Sequence, residues 1–272
     1  MNPTYQLMRI HGSLTTISTS TCLYLLFTPN FNLLEFIALS LASFCFFCGG
    51  MVMNDVFDVK KDKELRPERP IPSGSVNFNY AKGLYKLLLG TGLFSCLFLS
   101  SKAFFFALCL IISIFLYNTL LKESTLAPYA MSFCRVFNAI LGLSMTTWTT
   151  ESFVILFIYG LHTFSIMEMA KGENKKASLE FFYYILHFII LFLLITMSFY
   201  SALLWLVFFT YNHYNKDWHN QEIRMKTVGA MVLGFTWLDV AICLAQQKHY
   251  LVFYPIIIWF IIIHLNKKIS VS

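Results

Sequence analysis

The sequence predicts an all-α, polytopic membrane protein: a bundle of nine or ten membrane-crossing helices. Three observations carry that prediction. The 272 residues are 57% hydrophobic and only 12% charged, where a soluble domain carries about 25% charged residues. Mean hydropathy is +0.64. Apolar runs long enough to cross a bilayer recur along the chain, separated mostly by short breaks.

The elements follow in order. The first apolar run, 12–28, comes after Arg9 and His11 and lacks a small-residue cleavage site, so it reads as a first spanning helix rather than a removed signal. The break Thr28–Asn32 leads to 33–54, which ends on an acidic cluster. Runs 78–99 and 103–121 flank Ser100-Ser-Lys102; 126–148 and 152–170 follow the breaks 122–125 and 149–151. The stretch 179–213 makes either one long helix or two, and 227–245 and 249–265 complete the set. No linker or internal repeat divides residues 1–272, which read as one membrane domain.

Charge orients the loops. Lys60, Lys61, Lys63, Arg66 and Arg69 lie in the first long polar stretch, and Lys122, Lys171, Lys175 and Lys176 fall on the same side if the spans alternate, as does Arg9. The opposite side has little beyond Lys102. The positive-inside rule makes the basic side cytoplasmic. Lys216, Arg224, Lys226, Lys267 and Lys268 join it if 179–213 is a hairpin, which favours ten spans. A net charge of +6, small and dispersed, excludes a nucleic-acid partner. The seven cysteines lie mostly inside apolar runs, and Cys45-x-x-Cys48, without a second pair, reads as small buried apolar residues.

The chemistry concentrates at the end of the second run. Three of the five aspartates, Asp55, Asp58 and Asp62, fall within eight residues, followed by Arg66-Pro-Glu-Arg69-Pro-Ile-Pro-Ser-Gly74. The i, i+3, i+7 spacing puts the carboxylates on one face of a continuing helix. Hard oxygen donors of this kind suit Mg²⁺, which bridges protein carboxylates to substrate phosphates, and arginines bind the same phosphates bidentately. A solvated helix end would not need Asn54 and Asp55 adjacent at the last apolar turn. The combination points to chemistry on a lipid diphosphate. Arg135, in mid-segment, is an independent signal: an intramembrane cation costs roughly 2.5–3.5 kcal/mol on insertion scales and usually faces a polar cavity or anion. A hydrogen bond to Asn138, one turn away, is the structural alternative.

Asn54-Asp-x-x-Asp-x-x-x-Asp62 with Arg66-x-x-Arg69-Pro-Ile-Pro-Ser-Gly74 resembles the first signature of the UbiA-type superfamily of intramembrane prenyltransferases. That resemblance implies helices around a central cavity, with Mg²⁺ as cofactor. It also implies an isoprenoid diphosphate donor and a lipophilic or aromatic acceptor within membrane lipid. It assigns metal binding to Asp55, Asp58 and Asp62, and diphosphate contacts to Asn54, Arg66, Arg69 and Lys122. Arg9, Tyr117 (in Tyr117–Lys122), Arg135 and Asn138 match further family elements that line the cavity. The family's second signature, Asp-x-x-x-Asp, is replaced by Glu168-Met-Ala-Lys171-Gly-Glu173. Glu168 and Glu173 are then the expected second metal pair and Lys171 a substrate contact, although a spacing of five does not put both glutamates on one helical face. This stretch, with Arg224-x-Lys226-x-x-Gly229 and Leu238-Asp239, is similar to the divergent branch typified by the UbiA-like protein of bacterial ebo clusters, which implies a bacterial inner membrane. The implied reaction is Mg²⁺-dependent prenyl transfer. A non-catalytic carrier or flippase of a lipid diphosphate or lipophilic precursor, and a terpene cyclase, use the same signature. Asp239 divides evenly between a functional acid and a structural hydrogen bond. His213, Asp217 and His219 read as a solvated interfacial loop beside Trp218.

Overall fold

In the computed structural model, which describes residues 2–171, 178–213 and 220–270, the described chain folds entirely into helices and connecting turns. A short α1 (Pro3–Met8) precedes α2 (Ile10–Phe27), and α3 (Leu33–Phe57) is followed directly by α4 (Val59–Leu65). Then come α5 (Phe78–Ser95), α6 (Ser101–Leu116), α7 (Ala127–Leu143) and α8 (Thr150–Lys171), and finally α9 (Ser178–Met197), α10 (Phe199–His213), α11 (Gln221–Ala245) and α12 (Phe253–Ser270). Each of the ten apolar runs forms a helix. Ser198 separates α9 from α10, so 179–213 is two helices.

Among the described residues, four helical stretches are long and apolar enough to cross a membrane by length and composition: Leu33–Phe57, Ser101–Leu121, Thr150–Ala170 and Glu222–Ala245. Large apolar side chains such as Phe105, Ile112, Phe188 and Phe192 are exposed on the outward faces, as a lipid-facing surface requires.

The bundle is organised around α2, which packs against α3, α7, α11 and α12. Its sequence explains the central place. Seven of the nine residues Ser13–Thr21 are Ser or Thr, and all seven are buried. Their hydroxyls mostly bond carbonyls three or four residues back on the same helix, as Thr16 to Ser13 (2.7 Å) and Thr19 to Thr15 (3.1 Å). A helix so lined carries no bulky face and lets neighbours approach. The approach of α7 is closest at Gly142, where a Cβ would stand 2.0 Å from the Ser20 carbonyl oxygen. Ser20 also meets Ser43 of α3, hydroxyl to hydroxyl, at 2.7 Å.

Candidate active site

The aspartate segment forms where α3 hands over to α4. Asp58 ends one helix and begins the next, with φ −81° and ψ −3°, yet the ladder runs through it: its N–H donates to Asn54 O (2.9 Å), and the Asp62 N–H to Asp58 O (2.8 Å). The single uninterrupted helix expected over 55–62 is therefore a helix with a bend at its middle carboxylate. The bend separates partners. Asp55 and Asp62 share Arg69, whose Nη1 donates to Asp55 Oδ1 at 3.3 Å and Asp62 Oδ2 at 2.7 Å. Asp58 instead accepts from Lys122 Nζ, which also donates to Asn54 Oδ1 at 2.6 Å.

The loop after α4 decides which arginine reaches the site. Ile71 and Val76 bury in a cluster with Leu7, Val52 and Val56, and the Val76 N–H closes back on Pro70 O at 2.8 Å. Gly74 makes the turn at φ +78°, where only glycine is free of strain. Arg69, beside the buried Pro70–Ile71, is pulled inward; Arg66, expected as a second diphosphate contact, is exposed at the end of α4.

Arg9 enters from the break between α1 and α2. Its backbone is left-handed, φ 48° and ψ 48°, a conformation that costs a bulky residue on the order of 1–3 kcal/mol. Its Nη2 donates to Asp55 Oδ1 at 2.9 Å. Lys122 follows a π-helical turn, Tyr117–Leu121, a distortion frequent at functional sites. Outside this cluster Lys61 pairs with Glu123 at 2.7 Å, and that carboxylate raises the lysine's pKa.

Arg9 joins this cluster to a cavity of about 470 Å³, within the range of ligand pockets, roughly 300–1,000 Å³, which the three aspartates themselves do not line. Arg9, His11, Tyr117, Arg135 and Asn138 line it, with Phe46, Phe47, Leu110, Ile114 and Phe235 among its apolar walls. Arg135 and Asn138 do not bond each other, contrary to the structural alternative. Arg135 Nη2 donates to Thr15 O (3.0 Å) and Thr19 Oγ1 (3.3 Å) of α2, and Asn138 Nδ2 to Thr16 O (3.0 Å). The guanidinium carbon lies 3.5 Å from the centre of the Phe235 ring, a cation–π contact. Asp239 is buried behind this wall, accepting from Ser18 Oγ and Tyr159 OH, both at 2.5 Å. That makes it a structural hub between α2, α8 and α11. The hydroxyl run of α2, visible in the sequence at 13–21, is the signal that would have marked this wall.

Of the second acidic pair, only Glu168 falls among the described residues. Glu168 is half-buried on α8 next to Met167, which lines the cavity, and it forms no three-ligand group with the aspartates; among the described residues no such group exists. Glu173 lies outside the described residues, as do the Lys171 side chain and Asp217 and His219. His213 bonds Tyr183 OH through Nε2 at 2.7 Å within a buried aromatic cluster, not a solvated loop.

Asp55, Asp58 and Asp62 do not converge as the three-carboxylate group expected from their spacing, but one or two of them suit Mg²⁺. Asp55, Asp58 and Asp62 each commit one oxygen to a cation, and the other remains a hard donor. Mg²⁺ is typically held by one or two carboxylates plus substrate phosphates rather than by an all-protein cage.

Comparison with known proteins identifies the family and the fold. The family model for the UbiA prenyltransferase family matches residues 14–215. The chain belongs to that family. This UbiA-family chain is 30% identical over 169 residues to digeranylgeranylglyceryl phosphate synthase of Sulfolobus acidocaldarius, a match covering 61% of each protein. It is 43% identical over 74 residues to the synthase of Thermococcus gammatolerans, 27% of each. It thus spans less than two thirds of the length of these curated relatives. Among solved structures, one concerning digeranylgeranylglyceryl phosphate synthase in membranes superposes with a TM-score of 0.68 at 17% identity, covering 90% of this chain and 98% of that one. A UbiA homolog from Archaeoglobus fulgidus bound to GPP and Mg²⁺ gives 0.58 at 13% identity, covering 96% and 99%. At such identities the likeness is one of fold.

Proposed function

We propose that this UbiA-family protein transfers a prenyl group from an isoprenoid diphosphate to the hydroxyl of a glycerophosphate-type lipid. The observation that carries the reading is the row of cation-matched aspartates joined through Arg9 to an apolar cavity of about 470 Å³. Breaking the allylic C–O bond puts developing negative charge on the departing diphosphate. Lys122, Arg69 and Arg9 hold their charged heads beside the aspartates on long stems, so they can turn to phosphate oxygens as that charge forms. Asp55 and Asp58, with Asp62 close by, would hold Mg²⁺, which when bound supplies further positive charge to the diphosphate. Phe46, Phe47, Leu110 and Ile114 take the isoprenoid tail, and the aromatic faces favour the allylic cation over its hydration.

The acceptor assignment rests on the relatives. Those reported above are named for digeranylgeranylglyceryl phosphate, a prenylated glycerophosphate, which favours such an acceptor over an aromatic one. The cytoplasmic placement of the aspartates rests on the positive-inside pattern. The bacterial membrane and the ebo branch rest on sequence resemblance alone. A carrier reading draws on the sequence, where Glu168-Met-Ala-Lys171-Gly-Glu173 replaces the family's second Asp-x-x-x-Asp signature.

Product analysis separates these readings. Protein in liposomes with geranylgeranyl diphosphate, Mg²⁺ and geranylgeranylglyceryl phosphate or an aromatic acid should yield the diprenyl glycerophosphate. Prenylated aromatic product would move the acceptor. A hydrocarbon alone would indicate a cyclase, and unchanged donor on the opposite leaflet a carrier.

A further inference from the structure

We propose that His11 is the general base of the transfer, taking the proton that the acceptor hydroxyl loses as its oxygen bonds to the prenyl carbon. This rests on the transfer reading above and adds the step that reading leaves unassigned. In that step the carbon–oxygen bond to diphosphate breaks and its electron pair leaves on the diphosphate. The acceptor oxygen forms the new bond to carbon, and its proton passes to an imidazole nitrogen.

The placement favours this histidine. It lies in the first turn of α2, two residues beyond Arg9, whose guanidinium bonds Asp55 at 2.9 Å. It is half-buried and lines the cavity with Gly12, Thr15 and Thr16. A Cβ on Gly12 would stand 2.7 Å from Phe47 Cζ, so glycine there lets an aromatic wall close in beside the imidazole.

Elimination leads to the same residue. The other titratable or charged groups lining the cavity are Arg9, Tyr117, Cys134 and Arg135. Guanidinium has no lone pair to give. A phenol and a thiol hold their own protons at neutral pH. Asp55, Asp58 and Asp62 are bound to cations. Asp239 is held by Ser18 and Tyr159 and does not line the cavity, nor does His162, whose Nε2 is engaged with Met231 O at 2.9 Å. Among the described lining residues, only His11 offers a base matched to neutral pH.

The test uses the full chain in liposomes with geranylgeranyl diphosphate, geranylgeranylglyceryl phosphate and Mg²⁺, comparing wild type with His11→Gln and His11→Ala. In both variants kcat for transfer should fall by about 100-fold or more, with donor KM little changed. The acid limb of the wild-type kcat–pH profile should vanish in His11→Gln, and added imidazole should restore part of the rate of His11→Ala. Wild-type kcat and pH profile in His11→Gln would overturn the proposal, because the proton would then leave by another route, such as the diphosphate itself. Loss of donor binding together with transfer in both variants would also overturn it, assigning His11 to holding the mouth together. A wild type that binds donor but forms no product overturns the transfer reading, and this proposal with it.

Discussion

The cluster around Arg9 and the packing behind the cavity wall both hold aspartates, satisfied in opposite ways. At the mouth, Asp55, Asp58 and Asp62 are met by Arg9, Arg69 and Lys122, long side chains of which Arg9 and Lys122 come from distant segments. At the inner wall, Asp239 is met by the Ser18 and Tyr159 hydroxyls, short groups fixed to packed helices. A cation on a flexible stem can exchange a carboxylate for a phosphate at small cost. A hydroxyl held by a helix backbone cannot follow a ligand. The contrast separates a region built to rearrange around substrate from one built to hold three helices in register.

Substitutions at the two regions should therefore fail differently. Asp55→Ala should lower Mg²⁺-dependent turnover by about 10³-fold or more, measured as product formed, while the protein still purifies as a folded bundle. Asp239→Leu should do the reverse, costing roughly 3–5 kcal/mol of stability by stranding buried donors and the nearby Arg135. Thermal unfolding in detergent would check it, and an unchanged midpoint would erase the distinction. Gly142→Ala should cost about 1–3 kcal/mol by forcing α7 away from α2, read in the same assay. Lys61→Ala, at an exposed ion pair, should change stability by less than about 1 kcal/mol and leave turnover unaltered.

How much of this was legible varies with distance along the chain. The mouth was, because Asn54, Asp55, Asp58, Asp62 and Arg69 fall within sixteen consecutive residues, and local spacing carries their chemistry. Choosing Arg69 over Arg66 was not, since it depends on Ile71 and Val76 burying against α1 and α3. The ten helices were legible from hydropathy, and the division at Ser198 was the one left open. The partners of Asp239 stand 221 and 80 residues away, beyond any spacing rule. Glu168 shows another limit: its expected partner, Glu173, lies outside the described residues, so its metal role stands on sequence position alone.

Pyrophosphate release from geranylgeranyl diphosphate bears most directly on the central claim, that the aspartates at the mouth form the ionisation site. It would be measured for wild type and Asp58→Ala in liposomes, with Mg²⁺ or with EDTA. Release should require both the metal and Asp58. Equal release from the variant, or release that survives EDTA, would contradict it.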